Sequence, residues 1–284
     1  MPEHQTVTID GLPTKYRKVG QGKPLLFLHG HRADTRKWLV FIERLAQNYT
    51  VYAPELPGQS ANTPPFLDRS CAMERYADFC FEFCRVLGLK HIPIVGASMG
   101  GIISILLAKK YPQIVQKQIL FWTPIDSNFF NHARIKLISS AVAHIAKGRT
   151  VFKLWRTFLY SPLVKVFLKI DVKPEEHTLE VINHEIERWR EVDLLTWSRS
   201  MIDILNTSFN EREQITTPTI AVFSAHDRYF DVEKSIVKYE QIFPQLAVHV
   251  VKSKFHVPKG NLTKQFVREY EDIFRIFILY RGHP

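Results

Sequence analysis

A single serine stands between two glycines in the stretch IVGASMGG, residues 94–101. β-Branched apolar residues precede it and the apolar run IISILLAKKY follows it, so the serine lies where a predicted strand becomes a predicted helix. The spacing Gly96-x-Ser98-x-Gly100 is that of a nucleophile elbow, a tight turn that lifts the serine hydroxyl above a sheet. Such a turn also leaves the N–H of Met99 at a helix N-terminus, where it can stabilise the negative charge that develops on the substrate when the serine attacks. The pattern predicts nucleophilic chemistry at Ser98; an ordinary helix N-cap is the alternative.

A serine hydroxyl is a weak nucleophile until a base takes its proton and an acid orients that base. In chains with this elbow, the acid and then the histidine follow the serine. Asp227 comes just after the apolar run TIAVFS, and His256 follows LAVHVVKS, so both lie past the ends of predicted strands. Asp126, in WTPID after the preceding strand, is an alternative acid, and Asp203 and Asp231 are others.

The elements that would position these residues alternate between strand and helix. Strands are predicted at TVTID, TKYRKVG, LLFLHG, YTVYAPEL, HIPIVG and KQILFW, with helices over TRKWLVFIERLAQ, residues 70–87 and IISILLAKKY. The alternation resumes with the strand PTIAVFSAHD, a helix over DVEKSIVKYEQIF, the strand LAVHVVKS and a closing helix from Thr263 to about Tyr280. This order predicts an α/β fold with a mostly parallel central sheet flanked by helices.

Between residues 123 and 210 only helical periodicity is visible, interrupted by Pro and Gly. We interpret this block as a helical cap inserted after the sixth strand, over the sheet edge where such folds place their ligands. The predicted domains are therefore a core of residues 1–122 and 211–284 and a cap of residues 123–210. Within the cap, ERWREVDLLTWSRSMIDIL is interpreted as a helix with its charges outside that returns the chain to the sheet.

Composition narrows the class of protein. The 284 residues are 45% hydrophobic and 23% charged, an ordinary globular balance. No apolar run reaches the ~18 residues that span a bilayer, and MPEHQTVTIDG lacks a secretory signal pattern, so we expect a cytoplasmic protein.

Cys71, Cys80 and Cys84 are odd in number and lack zinc spacing, which predicts reduced thiols and no metal. No Rossmann or P-loop motif is present, and no cofactor is expected.

The chain has a net charge of +10, and within the predicted cap residues 127–170 contain eight Lys or Arg and no acidic residue. A basic amphipathic helix can contact an anionic membrane surface weakly, and the alternative is a solvated outer face of the cap. Nucleic acid is not an expected partner, because no docking motif accompanies the charge. The sequence gives no indication of oligomeric state.

Five motifs in the correct order resemble those of the α/β-hydrolase fold family, in particular its capped serine hydrolases. In chain order they are His29-Gly30, ELPGQS at 55–60, GASMGG at 96–101, AHD at 225–227 and FHVP at 255–258. The resemblance extends from residue 25 to residue 258. It implies the fold and a catalytic triad, and it indicates substrate poorly.

The resemblance also implies a role for each matched residue. Ser98 would be the nucleophile, His256 the general base and acid, and Asp227 its orienting carboxylate. The backbone N–H groups of His31 and Met99 would form the oxyanion hole, each worth roughly 3–4 kcal/mol of transition-state stabilisation. In the family the histidine that matches His29 supports this loop by hydrogen bonding.

Two positions depart from the family pattern. Phe255 stands where the family usually has glycine before the catalytic histidine. The common loop D-x-P-G-x-G-x-S is present as ELPGQSAN, with Glu55, Ser60 and Asn62 in place of Asp, Gly and Ser. Serine at position 98 excludes the aspartate nucleophile that dehalogenases and epoxide hydrolases of this fold use.

We expect a metal-free serine hydrolase that cleaves small to medium apolar carboxylic esters through an acyl-enzyme. The candidate substrate-binding residues are the aromatic side chains Trp122, Trp155, Phe158, Trp189 and Trp197, although aromatic residues of the cap are equally explained as its own core. Alternative functions with the same triad are a lactonase of the acyl-homoserine lactone type, a thioesterase and a C–C bond hydrolase. A non-catalytic ligand receptor on the same scaffold is the alternative from another class.

Overall fold

The computed structural model describes residues 3–130, 137, 141, 154, 157–163, 179–227, 229–252 and 261–280. Its strands are β1 (His4–Ile9), β2 (Leu12–Val19), β3 (Lys23–Leu28), β4 (Tyr49–Pro54), β5 (Ile92–Ala97), β6 (Val115–Phe121), β7 (Thr219–Ser224) and β8 (Leu246–Val251). Its helices with described bounds are α1 (Leu39–Leu45), α2 (Met73–Val86), α3 (Met99–Lys110), α4 (Leu179–Glu191), α5 (Leu194–Asn206), α6 (Val232–Ile242), α7 (Lys264–Arg268) and α8 (Glu271–Leu279).

The strands form one eight-stranded sheet in the order β1-β2-β4-β3-β5-β6-β7-β8. β2 is antiparallel to both β1 and β4, and the pairings from β4 to β8 are all parallel. The central strands β5 and β7 are buried along their whole length, as expected of parallel strands covered on both faces. The predicted α/β fold with a mostly parallel sheet is confirmed.

Helices cover the sheet on both sides. One apolar layer contains α2, α3 and α6, and the other contains α1, α7 and α8. The first ten residues of α3 are all buried, which explains why this helix is apolar on every side. Cys80 and Cys84 lie fully buried in the layer of α2, and burial raises the pKa of the Cys84 thiol to about 12.

The closing helix predicted from Thr263 to Tyr280 is interrupted. It forms α7 and α8, with Tyr270 at the junction. The Tyr270 ring is fully buried and contacts the rings of Phe121 and Trp122 at 5.7 and 5.4 Å between centroids. The break therefore directs this tyrosine into the core beneath β6.

Helices α4 and α5 stand between β6 and β7 in the chain, inside the predicted cap of residues 123–210, and after that prediction we call them the cap helices. Within the described residues from 123 to 210 no strand is present beyond an isolated bridge between Phe130 and Phe230. The cap boundaries at 123 and 210 stay a prediction. In the described part of the chain, no helix has the length and hydropathy required to cross a membrane.

Candidate active site

Ser98 lies in the turn between β5, which ends at Ala97, and α3, which begins at Met99. Its backbone has φ 52° and ψ −115°, a conformation that non-glycine residues rarely adopt. Such a conformation costs of order 1–3 kcal/mol and is typical of functional turns. The Ser98 N–H donates to the Phe121 carbonyl at 2.8 Å, and the Gly101 N–H donates to the Ser98 carbonyl at 2.9 Å. Hydrogen bonds to β6 and from α3 therefore hold the strained turn that the sequence pattern predicts.

The glycines around Ser98 are required by close backbone approaches. A Cβ on Gly96 would lie 2.5 Å from the carbonyl oxygen of Gly100. A Cβ on Gly100 would overlap the Leu28 carbonyl of β3, and one on Gly101 would overlap the side chain of Thr123. Only glycine permits these approaches, so α3 can begin directly against the ends of β3 and β6.

The loop that follows β3, residues 29–36, passes next to this turn, and we call it the oxyanion loop after the role predicted for His31. A Cβ built on Gly30 would lie 3.3 Å from the Ala97 carbonyl oxygen and 3.5 Å from the Cβ of Ser98, so the loop backbone passes close to the serine. Among the described residues, neither the His31 N–H nor the Met99 N–H donates to a hydrogen-bond acceptor. The two predicted oxyanion donors thus stand on the two segments that flank Ser98, as such a site requires.

The side chain of His29 fixes one peptide of the oxyanion loop. Its Nε2 accepts a hydrogen bond from the Leu56 N–H at 3.0 Å, so its Nδ1 carries the proton and donates to the Gly30 carbonyl at 2.9 Å. Burial lowers the pKa of His29 and keeps the ring neutral. In a trans peptide the C=O and N–H point in opposite directions. By holding the Gly30 carbonyl, His29 therefore directs the His31 N–H away from itself.

The side chain of His31 contacts the cap helix α5. Its Nε2 lies 2.9 Å from Ser200 Oγ and 3.2 Å from the Trp197 carbonyl. Because the Ser200 hydroxyl donates to the Thr196 carbonyl at 2.6 Å, its oxygen is left to accept from the His31 Nε2–H. Burial and the nearby Arg32 charge lower the pKa of His31 to about 3, so the imidazole is neutral in ordinary buffers.

Glu55, the residue that replaces the family's aspartate, is fully buried. Its carboxylate accepts hydrogen bonds from the Thr35 N–H at 3.2 Å and from the Thr35 hydroxyl at 2.5 Å. His4 Nε2, on the first strand, lies 2.8 Å from the same carboxylate. Since Thr35 belongs to the oxyanion loop, Glu55 ties the far end of this loop to the core.

Ion pairs join the oxyanion loop to the cap helix α4. Arg32 donates to Glu185 at 2.7 Å, and Arg188 lies 3.4 Å from the buried carboxylate of Asp34. Burial alone would raise the pKa of Asp34, but the positive charges of Arg188 and Arg36 outweigh it and lower the value to about 2. These pairs lie largely out of solvent, where charge interactions are strong and require exact pairing.

Asp227 lies three residues past the end of β7 and is buried. Its Oδ1 accepts from the Tyr229 N–H at 2.8 Å, and its own N–H donates to the Ser224 carbonyl at 3.1 Å. The adjacent His226 is exposed. His256, the predicted base, lies outside the described residues.

Each alternative acid makes contacts that account for it structurally. Asp126 accepts from Ser208 Oγ at 3.1 Å and lies 3.5 Å from Lys238 Nζ. Asp203 and Asp231 accept from N–H groups in the first turns of α2 and α6, at 2.7 and 3.1 Å. These are helix-capping contacts of the kind that carboxylates commonly make.

The predicted substrate-binding aromatic residues occupy two environments. Trp122 is fully buried in the core layer of α1, α7 and α8. Trp189 belongs to an apolar cluster of the cap, with Phe158 and Trp197 packed against it and only partly buried. Trp197 also faces the His31 ring, at 6.3 Å between centroids. Trp155 lies outside the described residues.

Several residues that contact the oxyanion loop carry no signal in the sequence. Ser200 and Glu185 are separated from the loop by more than 150 residues. Arg188 belongs to the stretch interpreted as a helix with its charges outside, yet it is buried, because Asp34 supplies its counter-charge. That interpretation of Arg188 was wrong. These partners could be identified only from the three-dimensional contacts between the cap helices and the loop, which no local sequence pattern encodes.

A comparison with protein families gives one match that covers most of the chain. A model described as alpha/beta hydrolase fold matches residues 23–259. An uncharacterized protein of Mycobacterium tuberculosis is 34% identical over 119 residues, which cover 42% of this chain and 34% of that protein. The chain therefore spans about a third of the length of curated relatives such as this one.

Solved structures resemble the whole chain. The epoxide hydrolase of Bacillus megaterium in complex with an inhibitor has a TM-score of 0.73 at 20% identity, covering 97% of this chain and 100% of that one. An esterase from Thermogutta terrifontis with bound malate has a TM-score of 0.72 at 18% identity, covering 98% and 97%. At these identities the likeness concerns the fold alone.

Proposed function

Because the chain belongs to the α/β-hydrolase fold family, we propose that it is a serine hydrolase of small to medium apolar carboxylic esters. The observation that carries this proposal is the strained turn at Ser98, with the Gly30 backbone against it. A strained non-glycine residue at such a junction is expected where its side chain performs chemistry.

In the proposed reaction, His256 removes the proton from Ser98 Oγ as this oxygen attacks the ester carbonyl. The carbonyl oxygen becomes negatively charged and accepts hydrogen bonds from the N–H groups of His31 and Met99. His256 then gives its proton to the departing alcohol, which leaves an acyl group on Ser98. Water activated by His256 attacks this acyl-enzyme and releases the acid.

Asp227 is proposed to orient the His256 imidazole and to stabilise its protonated form. Its support is positional: it follows β7 and is buried, and the Tyr229 N–H holds its carboxylate. Asp126, by contrast, is engaged with Ser208 and Lys238.

The proposed substrate is apolar because the Trp197 ring lies beside the oxyanion loop, 6.3 Å from the His31 ring between centroids. Trp197 and Phe158 are partly exposed and pack on the apolar cluster of Trp189. Apolar lining with few polar groups is typical of small-molecule sites. Trp155 is also proposed to bind substrate, on the basis of its sequence position alone.

The test combines covalent labelling with substrate profiling. A fluorophosphonate probe should label Ser98, as mapped by mass spectrometry, and p-nitrophenyl esters of increasing chain length should define the preferred acyl group. Ser98→Ala should abolish both, whereas Ser127→Ala, which removes a hydroxyl paired with Ser208, should retain both. Ester turnover that survives in Ser98→Ala would refute the proposal.

Lactones, thioesters and diketone-like substrates belong in the same panel, because this nucleophile and hole suit each of those carbonyl groups. A higher kcat/KM on a lactone would reassign the substrate class without changing the triad. A single slow turnover with tight ligand retention would instead identify a receptor on a hydrolase scaffold.

A further inference from the structure

Gln59 is a buried residue that bridges three segments of the molecule. Its Oε1 accepts a hydrogen bond from the Arg32 N–H in the oxyanion loop at 2.9 Å. Its Nε2 donates to the hydroxyl of Tyr76 on α2 at 3.0 Å and lies 3.4 Å from Ser200 Oγ on α5. The Tyr76 hydroxyl in turn donates to the Pro57 carbonyl at 2.8 Å, which fixes the Gln59 turn itself.

Ser200 completes a closed circuit of hydrogen bonds. Its fully buried hydroxyl oxygen accepts from His31 Nε2 at 2.9 Å and also faces Gln59 Nε2. The circuit runs from the His31 ring to Ser200, then to Gln59, and returns to the loop at the Arg32 N–H. Two adjacent loop residues are thus held by a single pair of polar side chains.

The circuit leaves His31 with its orientation fixed on three sides. The carbonyl before it is held by His29, the N–H after it is held by Gln59, and its ring is held by Ser200. Among the described residues the His31 N–H makes no hydrogen bond of its own, so it remains available as a donor. A hydrogen-bond donor that is rigidly preorganised in this way stabilises developing charge without reorganisation during the reaction.

We infer that Gln59 and Ser200 are positioning residues of the oxyanion hole, which hold the His31 N–H in place and make its orientation depend on the cap helix α5. This inference rests on the proposed function of His31 as an oxyanion donor. Neither residue is assigned a contact with substrate; both act through the oxyanion loop.

A neighbouring serine provides a matched comparison. Ser198 is also fully buried on α5, but its hydroxyl donates only to the Leu195 carbonyl of its own helix within the described residues. Removing either hydroxyl creates a cavity of the same size in the same helix. Only the Ser200 hydroxyl touches the oxyanion loop, so a difference between the two alanine variants reports the loop contact.

The kinetic test compares Ser200→Ala and Gln59→Leu with Ser198→Ala on a short p-nitrophenyl ester. Because the donor is misplaced and not removed, we expect kcat to fall about tenfold in the first two variants, less than the ~100–1000-fold loss of a whole donor. KM should change little, and Ser198→Ala should stay within about twofold of wild type. Ser200→Thr keeps the hydroxyl and should restore kcat.

A boronic acid that mimics the tetrahedral intermediate provides a second readout. Its affinity should fall by the same factor as kcat in Ser200→Ala, while an uncleavable ketone analogue of the ester should bind as before. The double variant Gln59→Leu with Ser200→Ala should be no worse than its more damaged parent, since both changes open one circuit.

Hydrogen exchange of residues 29–36 separates failure of this inference from failure of the proposed function. The inference requires faster amide exchange of this loop in Ser200→Ala than in Ser198→Ala, and equal exchange or equal kcat in the two variants overturns it. The proposed function fails separately, if turnover does not depend on Ser98.

Discussion

The guanidinium of Arg32 and the carboxylate of Glu185 form a 2.7 Å ion pair between the oxyanion loop and the cap helix α4. Glu185 is 1% exposed, and the Arg32 guanidinium also lies over the Trp189 ring at 4.5 Å. Arg32 has a positive φ of 48°, so its backbone depends on such contacts to stay in place.

Glu185→Gln should therefore destabilise the protein strongly. It leaves the Arg32 charge buried without a counter-charge, and we expect a loss of about 3 kcal/mol in the free energy of unfolding. Urea denaturation followed by fluorescence measures this loss. Glu180→Gln, an exposed position on the same helix, is the control and should change the value by less than about 0.5 kcal/mol. Equal effects at the two positions would contradict the buried pair.

Gly100→Ala should prevent correct packing at the start of α3. The new Cβ would overlap the Leu28 carbonyl, which is backbone and cannot rotate away. We expect a loss of several kcal/mol or a failure to yield soluble protein, as for severe overpacking in a core. Gly88→Ala is the matched control, because that glycine has a positive φ of 67° but open space around it. It should cost only about 1–2 kcal/mol of backbone strain; a loss as large as that of Gly100→Ala would argue against the close approach.

Acid should destabilise the protein through buried neutral histidines. Burial lowers the pKa of His29, of His31 to about 3 and of His184 to about 4, from an ordinary value of 6.5. Below pH 6.5 the unfolded chain binds protons that the folded protein rejects, so the free energy of unfolding falls as pH falls toward 4. Asp34, whose pKa is lowered to about 2, adds its own loss only below its ordinary value of 3.8.

Urea midpoints at pH 7.5, 6 and 5 would measure this dependence. His184 Nε2 accepts a hydrogen bond from Arg188 Nε at 2.7 Å, a role that a glutamine oxygen can take. His184→Gln should therefore reduce the number of protons taken up on unfolding by up to one. Each such proton changes the free energy of unfolding by ~1.4 kcal/mol per pH unit. His226→Gln, at an exposed residue, should leave the dependence unchanged. A free energy of unfolding that does not change from pH 7.5 to 5 would show that these histidines do not destabilise the protein in acid.

Asparagine substitutions should separate the two candidate acids. Asp227→Asn removes the charge that would orient the base, and we expect kcat to fall about 10³–10⁴-fold with the fold intact. Asp126→Asn should lower stability through its lost pairing with Lys238 while kcat falls less than about fivefold. Circular dichroism and ester kinetics on both variants measure the two effects. The reverse order of kcat losses would move the acid to Asp126.

The turn at Ser98 and the parallel sheet could be predicted because residues close together in the sequence determine them. The elbow at Ser98 is readable because its glycines lie within two residues of it and because an apolar strand and helix flank them. The mostly parallel pairing of the sheet follows from alternating strands and helices in the same way. The break before α8 was not predicted, because the inward position of Tyr270 depends on packing against β6.

The contacts that hold the oxyanion loop were not predictable from local pattern. Gln59 occupies a variable position of a turn motif, and Ser200 is one of several serines on α5. Trp122 illustrates the same limit. It was named as a candidate substrate-binding residue, and the structure places its ring in the core against Trp38 and Tyr270, at a backbone with a positive φ of 49°.

The attachment of α4 and α5 to the oxyanion loop limits how freely this protein can be recombined with others. A chimera that exchanged residues 179–206 for the corresponding helices of another enzyme would discard Glu185, Arg188 and Ser200 together. Its transplanted helices would supply a new binding surface but would leave Arg32, Asp34 and the His31 ring without their counterparts. Under the proposed function, exchanging the binding surface would therefore also disturb the loop that holds the oxyanion donor, and a graft would have to rebuild these contacts.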